Sequence, residues 1–149
     1  MQKWTMARTS SSSDAEPDRL AERLPDDDNM FSGDFRRSAP VGRQRRVTIN
    51  GRELPTHTDL CRHGDGFAWG YDGSGPAQLA LAILVEATDD RALALVAHQR
   101  FKREVISELG QEEPWSMSAA TVREWVRTQL KDGSISPTEV QRQRDAAGP

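Results

Sequence analysis

The stretch GFAWGYDGSGPAQLALAIL, residues 66–84, combines four glycines and a proline with an almost unbroken apolar run. Phe67, Trp69 and Tyr71 alternate with small residues, which predicts a strand with three aromatic side chains on one face. Pro76 suits the first position of a helix, because its missing N–H would have no partner there anyway. The apolar run that follows predicts a helix buried on all sides. The stretch therefore predicts a strand that bends into a helix at the centre of the fold.

Sequence signals on either side of this stretch predict a compact domain over residues 46–133. Asn50–Gly51 is a favoured pair for a tight hairpin turn and separates two short strands. Asp89 and Asp90 mark the start of an amphipathic helix, and Ser118 is typical of the residue that caps a further helix. We expect an α+β fold in which a two- or three-stranded antiparallel sheet packs against about three helices.

The two ends of the chain differ from this domain in composition. Residues 1–45 contain a serine run, an acidic triplet and scattered prolines. Few apolar side chains are available there to offset the entropy of ordering, so we predict a disordered, charged tail. Residues 134–149 begin with a capping box, but the helix that it would start carries only Val140 as a large apolar group. We expect an exposed helical or disordered tail.

The charge of the chain is unevenly distributed, although the net charge is only -3. Residues 35–52 carry six arginines and no acidic side chain. Such an arm could neutralise phosphates, so nucleic-acid binding is one open alternative. Only Phe35 is close enough in sequence to stack on bases. The candidate nucleic-acid-binding residues are Arg36, Arg37, Arg43, Arg45 and Arg46.

The glycine turn raises a second alternative, a small-ligand or anion site. Backbone N–H groups at a helix N-terminus attract anions, and the Gly73–Gln78 turn opens such a helix. The turn lacks the third glycine of a dinucleotide fingerprint and the lysine of a P-loop, and Asp72 adds a negative charge. We therefore expect a structural bend. Under the alternative, the ligand-binding residues are Trp69, Tyr71, Ser74, Gly75 and Gln78.

Five potential metal ligands fall within HTDLCRHGD, residues 57–65. Structural zinc sites usually pair such ligands from two separate elements. The only other histidine, His98, lies on the apolar stripe of a helix, where we expect a buried core residue. We therefore predict a polar loop and no metal. Cys61 with His57 or His63 lacks a third, orienting group, so no catalytic residue and no cofactor is predicted.

Cys61 is the only cysteine, so an intrachain disulfide is impossible. A reducing, cytoplasmic location is the natural expectation. The first residues lack the apolar segment of a secretory signal, and no apolar run is long enough to cross a bilayer. No membrane partner is expected.

Three blocks of the sequence resemble an uncharacterised domain-of-unknown-function family seen in haloarchaea, bacteria, plasmids and phages. They are GFAWGYDGSGPAQLALAIL, HQRFKREVISEL and a W-S-M-S-x-x-x-V-x-x-W pattern, and the similarity covers about residues 46–131. The family carries no assigned activity, so the resemblance assigns no functional residue. It implies a compact accessory domain, often encoded on mobile elements.

These observations favour a non-enzymatic accessory or interaction protein of phage or plasmid origin that binds another macromolecule. A protein partner is the leading expectation, because no catalytic constellation is visible and the tails are long and charged. The alternatives are nucleic-acid binding through the Arg36–Arg52 arm and ligand binding at the Gly73–Gln78 turn.

Overall fold

The computed structural model describes residues 12–147, with side chains from Pro17 onward. Over these residues the chain forms a four-stranded antiparallel sheet and five α-helices. The predicted α+β class is confirmed, but the sheet has four strands rather than two or three. The elements are α1 (Ser12–Glu22), β1 (Met30–Phe35), β2 (Arg45–Ile49), β3 (Arg52–Glu53), α2 (Ser74–Thr88), α3 (Arg91–Glu104), β4 (Trp115–Ser118), α4 (Ala119–Lys131) and α5 (Pro137–Ala147). A short 3-10 turn, Ile106–Glu108, follows α3.

The predicted hairpin is present as β2 and β3. Asn50 and Gly51 both have positive φ, 51° and 83°, as a two-residue hairpin turn with the twist of the strands requires. The Asn50 side chain also accepts a hydrogen bond from the backbone N–H of Met30 at 2.8 Å. The turn is therefore tied to the neighbouring strand β1.

Two strands of the sheet, β1 and β4, lie where the sequence did not predict a strand. The strand order is β3-β2-β1-β4, so β1 lies inside the sheet and pairs with both β2 and β4. β1 falls within residues 1–45, which were expected to be a disordered tail, and Phe31 in it is fully buried. Gly33 weakens the strand signal, but it makes room for Trp115 of β4, whose indole would overlap a Cβ at that position.

The aromatic stretch before α2 is not a strand. Phe67–Tyr71 is irregular, and its Gly70 has φ +87° and donates its N–H to Ile106 O at 3.0 Å. The backbone there bonds to the 3-10 turn instead of a strand neighbour. The long loop that includes this stretch, residues 54–73, joins β3 to α2 and is called the β3–α2 loop below.

The helices agree more closely with the sequence patterns. α2 is buried along nearly its whole length and packs against α3 and α4. Pro76 is its third residue rather than its first. Asp90 caps α3 by accepting from Leu93 N at 3.0 Å, and Ser118 caps α4 by accepting from Thr121 N at 3.0 Å. Both starts are confirmed.

The C-terminal segment forms a helix, and its one large apolar side chain is buried. α5 packs against α3, and Val140 in it is only 1% exposed. Residues 134–147 are therefore part of the folded unit, and α1 also packs against α4 and α5. Within residues 12–147, no helix combines the length and the apolar character needed to cross a membrane.

Candidate metal centre

Three side chains of metal-ligating type converge between the β3–α2 loop and α3. Cys61 Sγ, His63 Nε2 and His98 Nε2 all lie within 4.8 Å of one another. His63 Nε2 is 3.5 Å from the sulfur and 2.8 Å from the nitrogen of His98. Among the residues that the structure describes, no other group of three histidine, cysteine or carboxylate side chains is brought together in this way.

The position of His98 on α3 fixes the orientation and the tautomer of its ring. The ring is 5% exposed, and its Nδ1 lies 2.9 Å from Leu95 O and 3.2 Å from Ala94 O. Carbonyl oxygens only accept hydrogen bonds, so Nδ1 carries the proton. Burial lowers the pKa of His98, which favours the neutral ring. The lone pair of Nε2 then accepts a hydrogen bond from His63 Nε2 at 2.8 Å, and it is the lone pair that would bind a metal once His63 carries its proton on Nδ1.

The buried side chain of Gln78 holds the two loop ligands in place. Its Nε2 donates to Thr56 O at 2.7 Å and to Cys61 O at 3.1 Å. Its Oε1 accepts from the N–H groups of His63 at 2.7 Å and Gly64 at 3.3 Å. All four hydrogen bonds that a carboxamide can make are therefore used. Because Gln78 belongs to α2, the backbone of the loop is fixed to the most buried helix of the fold.

Two of the three separations between the ligand atoms are close to those in a tetrahedral zinc site. Zn–N bonds of about 2.0–2.1 Å place two coordinating nitrogens about 3.3 Å apart, and a Zn–S bond of about 2.3 Å places sulfur about 3.6 Å from nitrogen. The observed separations are 2.8 Å between the histidine nitrogens and 3.5 Å between Cys61 and His63. The third pair, Cys61 Sγ and His98 Nε2, lies within 4.8 Å, so a bound ion would draw these two side chains closer together.

The same geometry does not match a cysteine–histidine nucleophile. In such a pair, one ring nitrogen of the base faces the thiol and the other faces an orienting group. Here Nε2 of His63 faces both the Cys61 sulfur and the His98 ring. The three groups thus converge on one point, as ligands do, and do not form a relay through opposite sides of the His63 ring.

The other potential ligands in residues 57–65 form ion pairs or hydrogen bonds with other side chains. The hydrogen bond from Arg91 lowers the pKa of Asp59, which lies 3.1 Å from that guanidinium. The three pairs are His57 with Glu86 at 2.7 Å, Asp59 with Arg91, and Asp65 with Arg62. Of the five candidates that the sequence places in this loop, three have other partners, and the remaining two, Cys61 and His63, meet His98 from α3.

The glycine-turn residues are not gathered around one ligand position. Trp69 is fully buried, donates to Glu113 O at 3.1 Å and contacts Trp115 edge to face. Gln78 is buried with its amide used by the loop, whereas Tyr71 and Ser74 are exposed. Gly75 lies against Ala68, whose side chain would clash with a Cβ there. Ligand binding by these residues stays a prediction, and Gln78 has a clear structural role.

The predicted basic arm divides into two sets. Arg45 is half-buried, donates to Gln111 O at 2.8 Å, and lies over the rings of Phe35 and Trp69. Arg46 pairs with Glu53 on the hairpin. The remaining three, Arg36, Arg37 and Arg43, lie exposed in the connection between β1 and β2.

Comparison with known proteins gives one match. Residues 33–128 match the model of a family described as a family of unknown function. The match includes Cys61, His63 and His98, and it begins inside β1. No curated protein and no solved structure matches the chain.

Proposed function

The chain belongs to the DUF6166 family, whose function is unknown, and we propose from the geometry of the site that it is a metal-binding protein. The proposed ion is a divalent transition metal of the zinc class, and Cys61, His63 and His98 are its ligands. The observation that carries this proposal is the convergence of their three ligand atoms within 4.8 Å.

The donor set favours zinc over harder ions. One thiolate and two imidazoles are borderline-soft ligands, whereas magnesium and calcium prefer oxygen. Binding requires the Cys61 thiol to lose its proton and His63 to carry its own proton on Nδ1. Gln78 already fixes the backbone at both loop ligands, which reduces the entropy lost on binding.

Removal of the sulfur ligand tests the proposal directly. We expect Cys61→Ser to weaken Zn²⁺ affinity by more than about 100-fold, since loss of even an indirect partner of a metal site typically costs about 10- to 100-fold. Competition with a chromophoric chelator measures the affinity of the full-length protein. In the Co²⁺-loaded protein, the thiolate-to-metal absorption present in the wild type should be lost in Cys61→Ser.

The matched control is His57→Ala, which removes a histidine of the same loop that pairs with Glu86 instead. We expect its Zn²⁺ affinity to stay within about threefold of the wild type, because it does not reach the cluster. Circular dichroism checks that both variants fold. Equal losses in the two variants, or a wild type that does not compete with the chelator for Zn²⁺, would contradict the proposal.

A second candidate function, nucleic-acid binding, is favoured by the exposed connection between β1 and β2. Arg36, Arg37 and Arg43 lie there together with Val41, which is 94% exposed. Arg36 and Arg37 make only exposed ion pairs, with Asp34 and Glu112. Such pairs contribute little to stability, so phosphate could replace the carboxylates. A protein partner likewise stays a prediction.

Replacement of Arg36, Arg37 and Arg43 by serine should test this candidate. If all three contact phosphates of duplex DNA, the slope of log affinity against log salt should fall in magnitude by about 2.7. Fluorescence anisotropy over a salt series measures the slope. A control variant replaces three exposed arginines elsewhere, Arg103, Arg127 and Arg142. If both triple variants bind DNA as the wild type does, the candidate is wrong.

A further inference from the structure

A metal held by these three side chains would have an open coordination position. Tetrahedral sites take four ligands, and sites with three protein ligands keep the fourth for water or a substrate. Within residues 17–147, whose side chains the structure describes, no fourth histidine, cysteine or carboxylate joins the cluster. This inference rests on the proposed metal site and concerns what occupies its fourth position.

The residues of the cluster differ in their exposure to solvent. His98 is buried against the helices, whereas Cys61, His63 and Gln99 are each partly exposed. A ligand that enters from solvent would therefore approach along the side of the loop and of Gln99. A divalent ion with one thiolate keeps a net positive charge, which favours water, hydroxide or a small anion in that position.

Gln99 is placed to contact such a ligand. Its side-chain Nε2 lies 3.5 Å from His98 Nε2, the atom that would bind the metal. Once the ion occupies the lone pair of His98, this contact is lost, and the carboxamide remains next to the metal. A carboxamide offers both a donor and an acceptor, so it can hydrogen-bond either an anion or a metal-bound water.

We propose that the fourth position takes a small exogenous ligand from solvent, water or a monodentate anion, and that the Gln99 carboxamide hydrogen-bonds it. Gln99 is a positioning residue in this proposal, since it contacts the exogenous ligand and not the metal. The site is thereby an open, ligand-exchanging metal centre, in contrast to a closed structural one with four protein ligands.

Azide titration of the Co²⁺-loaded, full-length protein tests the proposal. The visible Co²⁺ bands should change saturably with azide, with perchlorate at equal ionic strength as the reference. Gln99→Ala should weaken azide binding by about three- to tenfold, the range expected for one hydrogen bond. Its Co²⁺ affinity should stay within about twofold of the wild type. Gln111→Ala, which changes an exposed glutamine, is the matched control.

The outcomes separate this inference from the metal site itself. If Co²⁺ binds but its bands do not respond to azide, the fourth position is closed and the inference is overturned, while the proposed metal site stands. If azide binds equally to the wild type and Gln99→Ala, the role of Gln99 is overturned. If no Co²⁺ binds, the proposed function fails together with the inference.

Discussion

Arg123→Ala should lower the free energy of unfolding by about 2–4 kcal/mol, because hydrogen bonds from a charged, buried side chain are lost and a cavity is left. The guanidinium is 2% exposed. It donates to Asp27 O at 2.6 Å, to Asp27 Oδ1 at 3.3 Å and to Ala87 O at 3.2 Å. Arg123 thus joins α4 to the end of α2 and to the segment that leads into β1. Its loss leaves the buried Ala87 oxygen and the partly buried Asp27 oxygen without this donor, and it leaves a cavity.

Urea denaturation, followed by circular dichroism, measures this effect. Arg127→Ala is the matched control, because Arg127 lies one turn further along α4 and makes only an exposed pair with Glu124 at 3.6 Å. We expect that control to change stability by less than about 0.5 kcal/mol. Arg123→Lys should fall between the two, since it keeps the charge but loses the fork that bonds several oxygens at once. A similar loss in both alanine variants would show that the buried network is not the cause.

Gln78→Leu should cost about 3–4 kcal/mol of stability and should also weaken metal binding. The leucine fills most of the volume but leaves two carbonyls and two N–H groups of the loop without their partners. Each buried group left unpaired costs about 1–3 kcal/mol, and movement of the loop recovers part of this. Because Cys61 and His63 would no longer be held, their alignment with His98 should be lost.

Denaturation in excess chelator isolates the loss of stability in the metal-free protein from the linkage to metal binding. Zn²⁺ affinity is then measured separately at a temperature where the variant is folded. Gln111→Leu, at an exposed glutamine, should leave both quantities unchanged. A metal-free destabilisation below about 1 kcal/mol would refute the view that Gln78 holds the loop.

Part of the candidate site was visible in the sequence. The density of ligand-type residues in 57–65 was interpreted as a polar loop without a metal, and His98 was correctly predicted to be buried on its helix. What the sequence did not show is that these belong together. His63 and His98 are 35 residues apart, and no spacing rule relates a loop to a helix that packs beside it. Gln78, predicted only as a candidate ligand-binding residue, makes four hydrogen bonds to the loop, and the sequence analysis did not anticipate this role.

Part of the fold could be predicted because it depends on residues that are close in sequence. The Asn50–Gly51 turn, the caps at Asp90 and Ser118 and the buried character of α2 follow from the residues themselves. Positive φ at a turn, an oxygen that caps N–H groups, and an apolar helix surface are all properties of a few neighbouring residues. These features were determined locally, and the structure retains them.

Tertiary structure alone decided the features whose partners are distant in sequence. β1 became an inner strand because β2 and β4 hydrogen-bond its backbone on both sides. Gly33 leaves room for the indole of Trp115. Phe67–Tyr71 has strand-like alternation, yet it stays irregular because its backbone bonds elsewhere. The candidate metal centre belongs to this second class. Its three ligand atoms meet only when α3 packs on α2 and Gln78 holds the loop, since hydrogen bonding and burial across the chain outweigh local preference.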